Sequence, residues 1–186
     1  MSAWKDCIVV LIDLIGVKKR ALAGDSSAST LMRSFHDLVR RMMGSDLGAL
    51  DHAYVWNDSV LLLAYVDERP ETYEQAIRAA DKLKRKVDIT APCYAIAVKG
   101  LAFPLNADPD STRVTVISAS SYAMANCFEI EAQVRSRKLQ KAWYIDTRVA
   151  KKVRAARSPH WVTVPLLPGG KSRRVYVHDG YLWSET

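Results

Sequence analysis

Histidine, cysteine and long apolar runs are all scarce in this chain of 186 residues. The three cysteines, Cys7, Cys93 and Cys127, are odd in number, far apart and set in apolar surroundings. They lack the close spacing of a zinc site and read as reduced core residues, which predicts a cytoplasmic protein. His36, His52, His160 and His178 show no ligand spacing and read as structural. No apolar run approaches the ~20 residues that cross a bilayer, so no membrane span is expected. Asp6 and Asp13 interrupt the short apolar stretch near the start, which therefore lacks a signal-peptide pattern. No repeat, low-complexity segment or long linker divides the chain, and the length suits one domain over residues 1–186.

What is present is a 49% hydrophobic composition, enough for a core, and a formal net charge of +7 from 27 basic and 20 acidic residues. That balance favours an anionic partner: nucleic acid, a membrane surface or a nucleotide polyphosphate. The basic residues gather at 16–20, 82–86, 135–141, 151–157 and 171–174. Most of these runs read as solvated helix faces and loops. Two adjoin features of interest: Lys18, Lys19 and Arg20 follow an Asp13–Gly16 segment, and Lys171, Arg173 and Arg174 flank a Gly-Gly loop.

Periodicity and turn chemistry predict strands at 6–14, 52–56, 59–66, 93–103, 114–118, 142–146, 160–166, 173–178 and 180–183. They predict helices at 26–43, 69–88, 120–138 and 147–156. Residues 17–25 read as a connection, and 104–113 as a turn-rich loop. The opening order β-α-β-β-α-β suits an α+β, ferredoxin-like sandwich, with helices on one face of a mostly antiparallel sheet. In that topology the first strand is central and the hairpin lies beside it.

Two carboxylates stand out. Asp13 is the one charge in the apolar run of residues 7–16, near the strand's C-terminal end, with Gly16 just beyond. Asp58 sits in the tight turn between the hairpin strands. A buried carboxylate is costly unless paired, hydrogen-bonded or bound to a cation. If the fold brings the two together, they form an oxygen-donor site for Mg²⁺ or Mn²⁺. The other reading keeps them separate, each capped by backbone N–H groups.

The segments "IDLIG" (12–16) and "WNDS" (56–59), on this topology, resemble the two metal-binding motifs of the class III nucleotidyl cyclases. The resemblance covers roughly residues 6–148, leaving the strands of 160–183 as an extension. It extends to "VKGLAF" (98–103), to the small-residue helix "SYAMANCFEIE" (121–131) and to "AWYID" (142–146). Asn57 stands where the family usually has Gly. The resemblance implies a cyclase-homology fold. It implies two divalent ions, Mn²⁺ or Mg²⁺, held by Asp13, Asp58 and the Leu14 carbonyl. It implies a nucleoside triphosphate whose phosphates meet Gly16, Val17 and Lys18, and a homodimer with its sites at the subunit interface.

The departures from the family narrow this further. Tyr54 stands where purine cyclases place a base-reading Lys, and Ser118 where an adenine-reading Asp falls. The transition-state Asn and Arg of the late helix would fall at Ala125 and Glu129, with Asn126 one place away. This pattern resembles the pyrimidine cyclases of bacterial Pycsar antiphage systems and implies UTP, or else CTP, as substrate. Lys99 is the chosen cation to replace the absent Arg, and Trp56 reads as a core or interface residue. Two rival readings remain. One is an inactive cyclase-like nucleotide-binding module, favoured by the missing Asn and Arg. The other is an RNA-binding domain, favoured by charge but opposed by a first strand without stacking aromatics. The expected partners therefore include neither nucleic acid nor membrane.

Overall fold

A strand as uniformly apolar as residues 7–12 needs cover on both faces, and β1 (Lys5–Leu14) has it. From Cys7 to Leu14 every residue is 3% exposed or less. The computed structural model describes residues 4–102, 121–136, 142–153, 161–165 and 172–183. Within them the order is β1, α1 (Val17–Leu22), α2 (Ser27–Ser45), β2 (His52–Trp56), β3 (Ser59–Tyr65), α3 (Pro70–Asp88) and β4 (Cys93–Ala102). Then follow α4 (Tyr122–Ser136), β5 (Trp143–Asp146), α5 (Thr147–Ala150), β6 (Trp161–Pro165) and β7 (Ser172–His178). The expected loop at 104–113, strand at 114–118, Ser118 and Lys171 lie outside the described residues.

The seven strands form one sheet in the order β2-β3-β1-β4-β5-β7-β6. Every neighbouring pair is antiparallel except β4 with β5. The fold is α+β with a mostly antiparallel sheet and flanking helices, as the element order predicts. Its first four strands take the ferredoxin-like arrangement, with β1 central and the β2–β3 hairpin beside it.

Strand alternation splits the core into two layers. Ile8, Val10, Ile12 and Leu14 face α2 and α3, where Phe35, Val39, Tyr73, Ile77 and Leu83 meet them. Cys7, Val9 and Leu11 face the other way and pack with Ala123, Cys127, Ile130 and Val134 of α4. So α2 and α3 lie on one face, as expected, and α4 covers the opposite one. The three cysteines are buried and free. Among the described residues no helix is long and apolar enough to cross a membrane.

Three expectations are corrected. The connection after β1 contains the short helix α1. Helix α5 stops at Ala150 and continues only as a turn through Lys152. Residues 180–183 are not a strand. They strap back onto α3, where the buried Asp81 carboxylate accepts from Leu182 N at 3.3 Å and from Trp143 Nε1 at 3.1 Å. Arg85 and Arg78 lie 4.3 Å and 4.5 Å from the Tyr181 and Trp183 ring centroids.

Candidate functional site

Asp13 is the penultimate residue of β1, and alternation turns its side chain toward α4. Its register partners are Ser59 at the start of β3 and Tyr94 near the start of β4. The Ser59 hydroxyl donates to Asp13 Oδ1. Asp58 immediately precedes Ser59, and its main-chain oxygen accepts from Leu14 N at 2.9 Å. The two aspartates are thus fixed side by side through the β1–β3 pairing. Asp58 is half-buried. Burial pushes the Asp13 carboxyl above the ordinary range, against the pull of Ser59 and Arg135, and the nearby Asp58 charge adds to the rise.

The turn that carries Asp58 is a two-residue hairpin loop, which needs a left-handed residue at its first position. Asn57 supplies it, with φ 47°. Its short polar side chain tolerates that region. His36 of α2 donates from Nε2 to the Asn57 carbonyl at 2.6 Å, tying the turn to a helix. Beyond β1, Gly16 takes φ 86°, and Ile15 N donates to Pro92 O at 2.8 Å. Val17 is buried, and Lys18 and Lys19 are exposed.

The structure brings a third charged element that the sequence reading did not assign. Arg135, in the last turn of α4, donates from Nη2 to both oxygens of Asp13 at 3.1 Å each. Its Nε pairs with Glu131 and lies 3.4 Å from the Tyr94 hydroxyl, which in turn donates to Glu131 Oε1 at 3.4 Å. Burial pushes the Glu131 carboxyl up, and burial together with the Asp13 charge does the same for the Tyr94 hydroxyl. Arg135 was hidden in the basic run of residues 135–141. The usable signal was the i, i+4 pair Glu131–Arg135, beside the sheet-facing positions Ile130 and Val134.

The other predicted residues are not gathered here within one chain. Lys99 pairs in register with Ile8, whereas Asp13 pairs with Tyr94. The two are therefore five residue positions apart along the sheet and on opposite faces. Lys99 pairs instead with Asp6 at 3.3 Å and lies 5.4 Å over the Tyr73 ring. Tyr54 lies on edge strand β2 opposite Leu61, on the α4 side, two strands from Asp13. It is half-buried, and burial pushes its hydroxyl pKa up. Asn126 is half-buried on α4, about 13 Å of helix rise before Arg135. Trp56 packs against Phe128 of α4 at 5.8 Å between centroids, with the rings tilted by 58°.

Among the described residues no cluster of three or more His, Cys, Asp or Glu side chains is placed to hold a metal. The donors on offer are two carboxylates and a main-chain carbonyl, all hard oxygens. That set fits Mg²⁺ or Mn²⁺, which commonly take one or two carboxylates and complete their shell with water and substrate phosphates.

No protein-family model matches the sequence, and no curated protein matches it. Solved structures do match. A bacterial light-regulated adenylyl cyclase aligns with TM-score 0.65 at 14% identity, over 96% of this chain and 93% of that one. In a longer chain of such an enzyme, this chain spans 55% of the length. The guanylyl cyclase Cya2 aligns with TM-score 0.65 at 10% identity, over 97% of this chain and 94% of that one. The catalytic core of a rhodopsin-guanylyl cyclase with converted specificity, in complex with ATPαS, gives 0.57 at 12%, over 95% and 96%. The neighbours are adenylyl and guanylyl cyclases, and the chain has the fold of their catalytic domains.

Proposed function

We propose that this chain is a nucleotidyl cyclase that converts a pyrimidine nucleoside triphosphate, UTP before CTP, to its 3′,5′-cyclic monophosphate, as a signal in antiphage defence. The observation that carries the reading is the adjacency of Asp13 and Asp58 at the end of the central strand of a cyclase fold. The fold neighbours are adenylyl and guanylyl cyclases, and one of them is in complex with ATPαS. The pyrimidine preference rests on Tyr54 in the place of a purine-reading Lys.

In this reading Asp13, Asp58 and the Leu14 carbonyl hold two divalent ions. When bound there, Mg²⁺ or Mn²⁺ supplies charge neutralisation on the triphosphate and activation of the ribose 3′-OH. The 3′-oxygen forms a bond to the α-phosphorus, the bond to the bridging oxygen breaks, and pyrophosphate leaves. Gly16, Val17 and Lys18 bind the outer phosphates. Tyr54, Ser118 and Asn126 contribute from the second subunit of a homodimer, so each site is shared.

One observation favours a second reading. Arg135 already neutralises Asp13 within the chain, which suits a nucleotide-binding module without turnover. Incubation with UTP, CTP, ATP and GTP in Mn²⁺ separates the two. We expect a cyclic pyrimidine nucleotide and pyrophosphate, abolished by Asp13→Ala and by Asp58→Ala with the fold intact. Purine products alone overturn the specificity, and nucleotide binding with no product from any triphosphate establishes the module.

A further inference from the structure

A buried carboxylate is costly without a partner, and beside the Ser59 hydrogen bond Asp13 has a cation from its own chain. Arg135 is half exposed, at 50%, whereas the Asp13 side chain is 5% exposed. Its guanidinium faces Asp13, Glu131 and the Tyr94 hydroxyl together. The two Asp13 oxygens it engages are the oxygens a divalent ion would take. A guanidinium and a metal ion at the same carboxylate repel each other by several kcal/mol before screening. The Arg135 head is not locked in place by burial. Its pair with Glu131 lies on its own helix, so it stays beside the site after leaving Asp13.

We infer that Arg135 is the in-chain rival of the divalent ion for Asp13, and that a triphosphate relieves the rivalry by giving its guanidinium phosphate oxygens to bind. The inference rests on the metal reading of Asp13 and Asp58, and it concerns the order and coupling of binding. Guanidinium groups match phosphate oxygens in bidentate geometry. Metal alone must therefore displace Arg135 against its attraction to Asp13. Metal with triphosphate displaces it onto a new anion. The two ligands then help each other, and the help is reciprocal, as linkage requires.

The test is Mn²⁺ binding, followed by the electron paramagnetic resonance signal of free Mn²⁺, with and without a non-hydrolysable UTP analogue. In wild type we expect weak Mn²⁺ binding alone and markedly tighter binding with the analogue. In Arg135→Ala, Mn²⁺ alone should bind about tenfold tighter, and the enhancement by the analogue should shrink by a similar factor. Arg135→Gln keeps a hydrogen-bonding head without the charge and should move both quantities the same way. A merely structural Arg135 predicts the opposite sign, because loosening the site weakens Mn²⁺. Unchanged or weaker Mn²⁺ binding in both variants, while Asp13→Asn still abolishes it, overturns this inference and leaves the metal reading standing. Mn²⁺ binding indifferent to Asp13→Asn overturns both.

Discussion

Asn57 and His36 hold the backbone turn that carries Asp58, though neither is a candidate ligand. Asn57 holds φ 47°, and His36 donates to its carbonyl at 2.6 Å. Replacing Asn57 by Gly keeps that backbone region open, so Asn57→Gly should leave the unfolding midpoint nearly unchanged. A β-branched residue is excluded from it, and Asn57→Val should cost about 1–2 kcal/mol in chemical denaturation. Removing the donor in His36→Ala should cost about 1 kcal/mol and weaken Mn²⁺ binding further than Asn57→Gly does, because the turn loses its tether to α2. At this scale the sequence was legible where one residue broke a pattern. Asp13 interrupts an apolar run, and Asp58 sits in a two-residue hairpin turn. It was illegible where side chains meet across elements. Arg135 reads as one more lysine-arginine run until α4 is laid on the sheet, and the pairing of Lys99 with Asp6 appears only once strand register is known. His36 carries no local signal for a contact 21 residues away.

Between elements, β4 and α4 pack tightly at Gly100. A Cβ on Gly100 would meet Ala123 atoms at 2.8–2.9 Å, two of the three being backbone. Glycine here is required by proximity, and α4 brings Arg135 and Glu131 to the site from its far end. Gly100→Ala should therefore destabilise the fold by about 1–3 kcal/mol, read by denaturation, and should lower turnover beyond what the loss of folded protein explains. The start of α3 offers a pH prediction. Hydrogen bonds from Arg69 and Thr72 hold the Asp67 carboxyl down to about 2. A carboxyl depressed in the folded state adds stability above its ordinary value of 3.8 and loses it as pH falls toward about 2. Asp67→Asn should accordingly melt below wild type by a constant margin above about pH 4, and the two curves should converge toward pH 2. Elements with strong periodicity, such as α3 and β1, fall almost where the sequence puts them. Residues 180–183 do not, because an alternating apolar stretch cannot reveal that Asp81 and two arginines of α3 will take its backbone and rings.

For the whole molecule, the two halves of the proposed site lie apart in one chain. Asp13 and Asp58 sit at the end of β1 and in the hairpin turn, whereas Tyr54 is on edge strand β2, two strands away. Trp56 and Phe128 touch with tilted rings while each remains more than a third exposed, on the same side of the sheet as Tyr54 and α4. A symmetric dimer joining these faces would give each site its carboxylates from one subunit and its base contact from the other. Chain mixing tests this directly. Asp13→Ala alone and a Tyr54→Ala variant with reduced UTP use should each be poor cyclases. Co-refolded in equal amounts, half of the dimers are mixed and each holds one intact site, so turnover should recover to about a quarter of wild type. The recovery should fade on dilution as mixed dimers dissociate. If each chain is instead complete by itself, mixing yields only the average of the two variants, and the activity per chain stays constant at every concentration.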